Sequence, residues 1–138
     1  MRFMCMPDKK TLERARKDKK EGKAPTTQAG EFVREEMEHI REGKHGARSA
    51  KQAIAIGLSK ARRAGVKLAP PKPGQASEAT RKQAKRDLAK GKKGEQKVSA
   101  KRSAASTKAL KREGRSAASK KSLSTQAKKA AAKRKKSA

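Results

Sequence analysis

The stretch Ser49-Ala-Lys-Gln-Ala-Ile-Ala-Ile-Gly-Leu-Ser-Lys-Ala-Arg-Arg-Ala-Gly65 decides the fold. It is the longest run of apolar periodicity in a chain that is otherwise rich in Lys, Ala and Ser. Ser49 and Gln52 have the spacing of a capping box, and Gly65 can adopt the left-handed conformation that ends a helix. Ile54, Leu58 and Ala61 share one apolar face at helical spacing. The stretch therefore predicts an amphipathic helix.

Two further predictions follow from the residues on the remaining sides of this helix. Ala53, Gly57 and Ala61 are small and four residues apart, so another backbone can approach that side closely. The side opposite the apolar face carries Lys51, Gln52, Ser59, Lys60 and Arg63. Such a helix can pack on a partner helix and lie on a polyanion. The alternative interpretation is a core helix whose basic face is only solvated.

The charge balance of the whole chain predicts an anionic partner. The sequence has 41 Lys and Arg against 13 Asp and Glu, a net charge of +28. Nucleic acid is the first candidate, because each neutralised phosphate releases a counterion. No apolar run is long enough to span a bilayer, and the residues that anchor an interfacial helix are scarce. We predict a cytoplasmic protein at the nucleoid that binds no membrane, and the single Cys5 fits a reducing compartment.

A second amphipathic helix is predicted from Gln28 to Glu42, with Thr27 as its cap and Gly43 at its end. Its apolar face holds Phe32, Val33, Met37 and Ile40. The same segment carries five Glu and two Arg, so it is the acidic element of the chain. We expect it to pack behind the basic helix or to attract the basic tail. Alternatively, its charges are a solvated face.

Four regions follow from the composition, and together they predict an all-α protein. They are a basic segment with a weak helix (1–26), a small hairpin of short helices that resembles a helix-turn-helix (27–68), a Pro/Gly linker (69–76) and a Lys/Ala/Ser-rich tail (77–138). The tail repeats Arg-Ser-Ala-Ala-Ser at Arg102 and Arg115. Its low hydrophobicity and high charge predict a largely disordered or conditionally helical segment.

Catalytic and metal-binding patterns are not apparent in the sequence. His39 and His45 are six residues apart with no Cys nearby, so we predict no metal site and no cofactor. Glu35 and Glu38 are interpreted as surface carboxylates of a helix. No nucleophile has a recognisable base partner, which predicts a protein that is not an enzyme and takes no small-molecule substrate. Two Phe cannot provide a stacking platform for unpaired bases, so duplex DNA is the favoured partner.

The core Lys-Gln-Ala-Ile-Ala-Ile-Gly-Leu-Ser-x-Ala-Arg, Lys51 to Arg62, resembles a bacterial family of small basic Lys/Ala-rich proteins catalogued as a domain of unknown function. Longer members look similar over nearly the whole chain, including the Arg-Ser-Ala-Ala-Ser units and a start near Met6. The tail is like that of a linker histone in composition. The resemblance implies a bacterial, non-enzymatic protein and no established mechanism.

These observations predict a sequence-nonspecific, histone-like DNA-binding protein that neutralises phosphates. Its predicted nucleic-acid contacts are Lys51, Lys60, Arg62, Arg63, Arg81, Lys82, Lys85, Arg86, Arg102, Lys111, Arg112 and Arg115. The face around Ile54 and Leu58 could support a homo-oligomer. Two alternatives stay open: a protein-interaction module with a basic localising tail, and an RNA- or ribosome-associated basic protein.

Overall fold

The computed structural model describes residues 7–93 and 99–137, and these form an all-α protein, as predicted. Within that part of the chain there are six α-helices and one 3-10 turn, and no β-strand. The helices are α1 (Lys9–Lys20), α2 (Pro25–Arg41), α3 (Ala50–Arg63), α4 (Glu78–Lys92), α5 (Ala100–Lys111) and α6 (Lys120–Ser137), and the 3-10 turn is Ser116–Ala118. Cys5 and the proposed start at Met6 lie outside the described residues.

Helix α3 has the predicted ends. The Ser49 hydroxyl accepts a hydrogen bond from the Gln52 amide at 3.2 Å, and the Gln52 side chain accepts one from the Arg48 amide at 2.7 Å. The first bond satisfies an amide that the first turn of a helix leaves without an intrahelical partner, and the second fixes the residue that precedes the cap. Gly65 follows the helix with a φ of +102°, which is the left-handed conformation that a glycine adopts readily.

Helix α2 begins earlier than predicted, and the predicted Thr27 cap is wrong. Ala24 occupies the cap position and Pro25 the first helical position. Proline suits that position because its fixed φ is helical and its missing N–H has no partner there anyway. Thr27 consequently lies inside the first turn. The helix ends at Arg41, and Gly43 has a φ of +79°.

Helices α2 and α3 approach each other at Gly57, as the small-residue pattern predicts. A Cβ at this position would lie 2.7 Å from the Cα of Val33 on α2. Two small apolar clusters flank the contact. One contains Met37, Ile40, Ala47, Ala53, Ala117 and Ala118, and the other contains Ala15, Ala29, Phe32, Ala61 and Val66. Ile54 packs against the first cluster and Leu58 against the second, so these half-buried residues contribute to the core.

The structure does not establish a disordered tail, because the second Arg-Ser-Ala-Ala-Ser unit is built into the core. Its Ala117 and Ala118 are buried, and Arg41 Nε donates a hydrogen bond to the Ala118 carbonyl at 3.2 Å. The Gly46 amide donates to the Leu110 carbonyl at 2.9 Å, so the end of α5 is held against the turn that precedes α3. The first copy of the repeat lies within α5 instead.

Helix α4 packs on α3 around the buried carboxylate of Asp87. The Ser59 hydroxyl donates to Asp87 Oδ2 at 2.7 Å, and the Gln83 amide donates to Oδ1 at 3.1 Å. Arg63 Nε lies 3.8 Å from the same carboxylate. The Pro/Gly linker therefore returns the chain to α3 rather than leading it away.

We expect Gly57→Ala to destabilise the protein by about 1–3 kcal/mol, because the new methyl group overpacks the α2–α3 contact. Gly30→Ala is the matched control: Gly30 is an exposed residue of α2 with no atom within 4 Å of an added Cβ. This control should stabilise the protein by about 0.5–1 kcal/mol through helix propensity. Urea unfolding followed by circular dichroism measures both. Equal stability of the two variants would contradict the close approach of the helices.

Candidate nucleic-acid interface and the buried charge cluster

A cluster of charged side chains is buried between α2, the following turn and α3. The Lys60 ammonium forms an ion pair with Glu36 Oε1, and both side chains are fully buried. His45 Nε2 lies 3.2 Å from Glu36 Oε2, while its Nδ1 lies 2.9 Å from the Gly46 carbonyl oxygen. The Glu36 carboxylate thus faces two basic groups from the segment that follows α2.

The pKa values in this cluster indicate its protonation state. Burial tends to raise the pKa of Glu36, but the His45 contact and the Lys60 charge outweigh it and lower the pKa below its usual value. Contact with Glu36 raises the pKa of His45. Both shifts favour the charged forms of the two side chains, the ionised Glu36 carboxylate and the protonated His45 imidazole.

The expectation that Lys60 lies on a solvated basic face is wrong. Lys60 is buried because Ala53, Gly57 and Ala61 on the same side of α3 leave room for it beneath α2. Arg62 is also buried. Its Nε donates to the Leu68 carbonyl at 3.2 Å and its Nη2 to the Ala69 carbonyl at 3.1 Å. Both residues bind parts of the protein itself rather than forming an exposed surface.

The surface interpretation of Glu35 is also wrong, since Glu35 is only 2% exposed. The structure brings the rings of His39 and His45 to 6.0 Å, in an edge-to-face arrangement. Burial lowers the pKa of His39, whereas burial raises the pKa of Glu35 to about 7. Sequence spacing could not reveal this grouping, because the turn after α2 folds back beneath the helix.

The other predicted nucleic-acid contacts on α3 and α4 differ in their exposure and in their partners. Lys51 is exposed, and Arg63 is half-buried beside Asp87. Arg81 is half-buried, and its guanidinium donates to the Pro71 carbonyl and to Glu78. Three cations are exposed at helical spacing on the side of α4 that faces away from α3: Lys82, Lys85 and Arg86.

The predicted contacts on and after α5 are all exposed. Arg102 and Lys111 lie on α5, and Arg112 follows its last turn. Arg115 lies at the start of the 3-10 turn, where it lines the same cleft as Arg41 of α2 and Lys120 of α6.

A cationic cleft lies where Arg115 meets the end of α2 and the start of α6. Its lining residues are Arg41, Arg115, Ala118, Ser119 and Lys120, none of which is acidic. We call it the Arg41–Arg115–Lys120 cleft. Sequence reasoning identified Arg115 but missed Arg41 and Lys120. Arg41 is hydrogen-bonded to Ala118, which lies 77 residues further along the chain, so no local sequence pattern predicts the cleft.

The cleft adjoins the N-terminus of α6, where the helix dipole is positive. Ser119 caps this helix by accepting a hydrogen bond from the Ser122 amide at 3.1 Å. The first turn contains Lys120 and Lys121 and no acidic residue. Cations at this end of a helix are unfavourable, typically by about 0.3–1 kcal/mol each, and an anion in the cleft would offset that cost.

Helix α6 extends the cationic surface away from the cleft. Its exposed cations are Lys120, Lys121, Lys128, Lys129, Lys133, Arg134, Lys135 and Lys136. The 18-residue helix is about 27 Å long and carries no acidic residue. Leu123 packs it against the first apolar cluster, and Lys133 Nζ donates to the Gln75 carbonyl at 3.2 Å. These contacts hold the helix against the hairpin and the linker.

Among the described residues, no helix combines the length and the apolar character needed to cross a bilayer. Residues 8–73 match the model of DUF6496, which is described as a family of unknown function. The match supports the resemblance to a domain of unknown function and covers the segment from the start of α1 to the linker. Comparison with curated proteins and with solved structures gives no match.

We expect His45→Gln to cost about 1–3 kcal/mol at about pH 6 and less at about pH 9. The raised pKa of His45 means that its stabilising contribution is complete below pH 6.5 and is lost as the pH rises through the raised value. Urea unfolding at both pH values measures the difference. Lys44→Gln, at the exposed neighbouring residue, should change stability little at either pH. A His45→Gln cost that does not depend on pH would contradict the protonated pair.

Proposed function

We propose that this protein is a non-enzymatic, sequence-nonspecific nucleic-acid-binding protein that neutralises the backbone phosphates of duplex DNA. The observation that carries the proposal is the Arg41–Arg115–Lys120 cleft at the N-terminus of α6, whose lining holds three cations and no acidic residue. Two Arg, one Lys and the first amides of a helix match the groups that bind phosphate oxygens in proteins.

The distribution of charge supports a long contact rather than a single anion site. Residues 74–138 carry a net charge of +18 and residues 1–73 a net charge of +10. Helix α6 presents eight cations over about 27 Å, and duplex DNA carries one negative charge per about 1.7 Å of its axis. The cations of α6 form two groups, Lys120 and Lys121 beside the cleft and six more between Lys128 and Lys136, so both halves of the helix offer phosphate partners.

The structure offers little that could read bases, which favours backbone contact. Phe32 is fully buried in the second apolar cluster and cannot stack on an unpaired base. Phe3 lies outside the described residues. Lys and Arg on α4 and α6 can bind phosphates through charge without distinguishing sequences. A nucleoid location and a histone-like role in compacting DNA follow as part of the same proposal.

We expect Arg115→Gln/Lys120→Gln to weaken binding to duplex DNA by about tenfold or more near physiological salt. Removing two phosphate contacts should also reduce the slope of log affinity against log salt by about 1.8. Fluorescence anisotropy with a labelled duplex of mixed sequence, repeated over a series of salt concentrations, measures both quantities.

Arg16→Gln/Lys19→Gln is the matched control, because it removes the same charge from exposed positions on α1. It should change affinity by less than the cleft variant does. Equal losses in the two variants would mean that net charge alone governs binding and would remove the cleft from the proposal. Tighter binding to structured RNA than to duplex DNA would replace DNA with RNA as the partner, and no binding to either would favour a protein-interaction module.

A further inference from the structure

Three potential metal ligands converge where the start of α1 meets the middle of α2. Asp8, Glu35 and His39 each offer one ligand atom, and these atoms lie within 4.8 Å of one another. His39 Nε2 is 3.4 Å from Asp8 Oδ2 and 4.0 Å from Glu35 Oε1. Glu35 and His39 are one turn apart on α2, so a single helix face presents both.

Glu35 is a buried carboxylate with one oxygen that is not hydrogen-bonded. It is 2% exposed, and its Oε1 accepts a hydrogen bond from the Asp8 amide at 2.6 Å. Its Oε2 is buried without a hydrogen-bond partner. The neighbouring Glu36 instead has the Lys60 ammonium and His45 as partners. A buried, incompletely paired carboxylate is costly unless a cation compensates it.

Asp8 provides a second, independent indication. It occupies the N-cap position of α1, where an aspartate usually accepts a hydrogen bond from an amide of the first turn. Its side chain makes no such bond. The carboxylate faces His39 instead, and it is 52% exposed. The group of three therefore has a partly open side through which an ion and a water molecule could enter.

We propose that Asp8, Glu35 and His39 bind one transition-metal ion, for which Zn²⁺ is the best fit. Adjacent ligands of a tetrahedral Zn²⁺ lie about 3.3–3.5 Å apart, so the observed separations need only a small adjustment of side chains. Zn²⁺ accepts both imidazole nitrogen and carboxylate oxygen ligands, and a water molecule would complete a four-coordinate site here. Mg²⁺ and Ca²⁺ prefer oxygen ligands throughout, so the imidazole disfavours them.

A second group of potential ligands lies next to this one. The group Glu36, His39 and His45 also has its ligand atoms close together. It is the poorer site, because Lys60 already pairs with Glu36 and the Glu36 carboxylate would have to exchange that partner for the metal.

An ion at this site would join α1 to α2. Apart from it, α1 is held by Leu12 and Ala15, which pack in the second apolar cluster, and by polar contacts such as the Arg14–Glu31 ion pair at 3.5 Å. The site would thus couple the docking of the first helix to metal availability. This inference does not depend on nucleic-acid binding.

The test uses the full chain with Cys5→Ser, so that the single thiol cannot bind metal. Calorimetric titration of the metal-free protein with Zn²⁺ should give one ion per chain, and Co²⁺ should give the visible absorption of a tetrahedral site. Asp8→Asn and Glu35→Gln should each weaken Zn²⁺ binding by about tenfold or more. Mg²⁺ should not compete.

Glu38→Gln is the control, since Glu38 lies on the same helix and pairs with Arg34 away from the site. Its Zn²⁺ affinity should equal that of the parent protein. Asp8→Asn changes a half-exposed residue, so it keeps the test valid if Glu35→Gln fails to fold. The proposal is overturned if the parent protein binds no Zn²⁺, if Asp8→Asn binds it as tightly as Glu38→Gln, or if Mg²⁺ binds equally well.

Discussion

The buried ion pair between Glu36 and Lys60 is the interaction on which the rest of the structure depends. Taking two charges out of water costs several kcal/mol per ion, and only close pairing with further polar contacts offsets it. The close approach of α2 and α3 at Gly57 brings the two side chains together, and His45 gives Glu36 a second partner. The position of the turn after α2 follows from that contact, and the amides of Gly46 and Ala47 in this turn donate to the carbonyls of Leu110 and Gly114, shortly before the residues that line the cleft.

The protein uses its charges in two ways. Several acidic side chains are buried, where they bind basic side chains, amides or hydroxyls of the core: Asp18, Glu35, Glu36 and Asp87. Burying these acids leaves the exposed surface more positive than the net charge of +28 alone suggests. Lys60 and Arg62 are cations that stabilise the fold, whereas the cations of α6 have no acidic residue on their own helix. A strongly basic composition therefore does not identify which basic residues are available to a partner.

Local signals in the sequence predicted the parts of the fold that depend on neighbours along the chain. The Ser49 cap, the end of α3 at Gly65 and the close approach at Gly57 are such features. The burial of Lys60 does not follow from local pattern, because a lysine on a helix usually extends its charge into solvent, and here the ion pair with Glu36 of another helix holds it in the core. The approach of Asp8 to His39 and of Arg41 to Ala118 joins residues 31 and 77 positions apart, and no periodic pattern reports such contacts.

The most direct test of this account is the unfolding free energy of Lys60→Met, measured beside that of the double variant Glu36→Gln/Lys60→Met. Removing Lys60 alone leaves the buried Glu36 carboxylate without its lysine partner, so the single variant should lose about 3–5 kcal/mol of unfolding free energy. The double variant should recover a large part of that loss, and its affinity for duplex DNA should match that of the parent protein. A single variant of unchanged stability and weakened DNA binding would instead place Lys60 on the binding surface and contradict the buried pair.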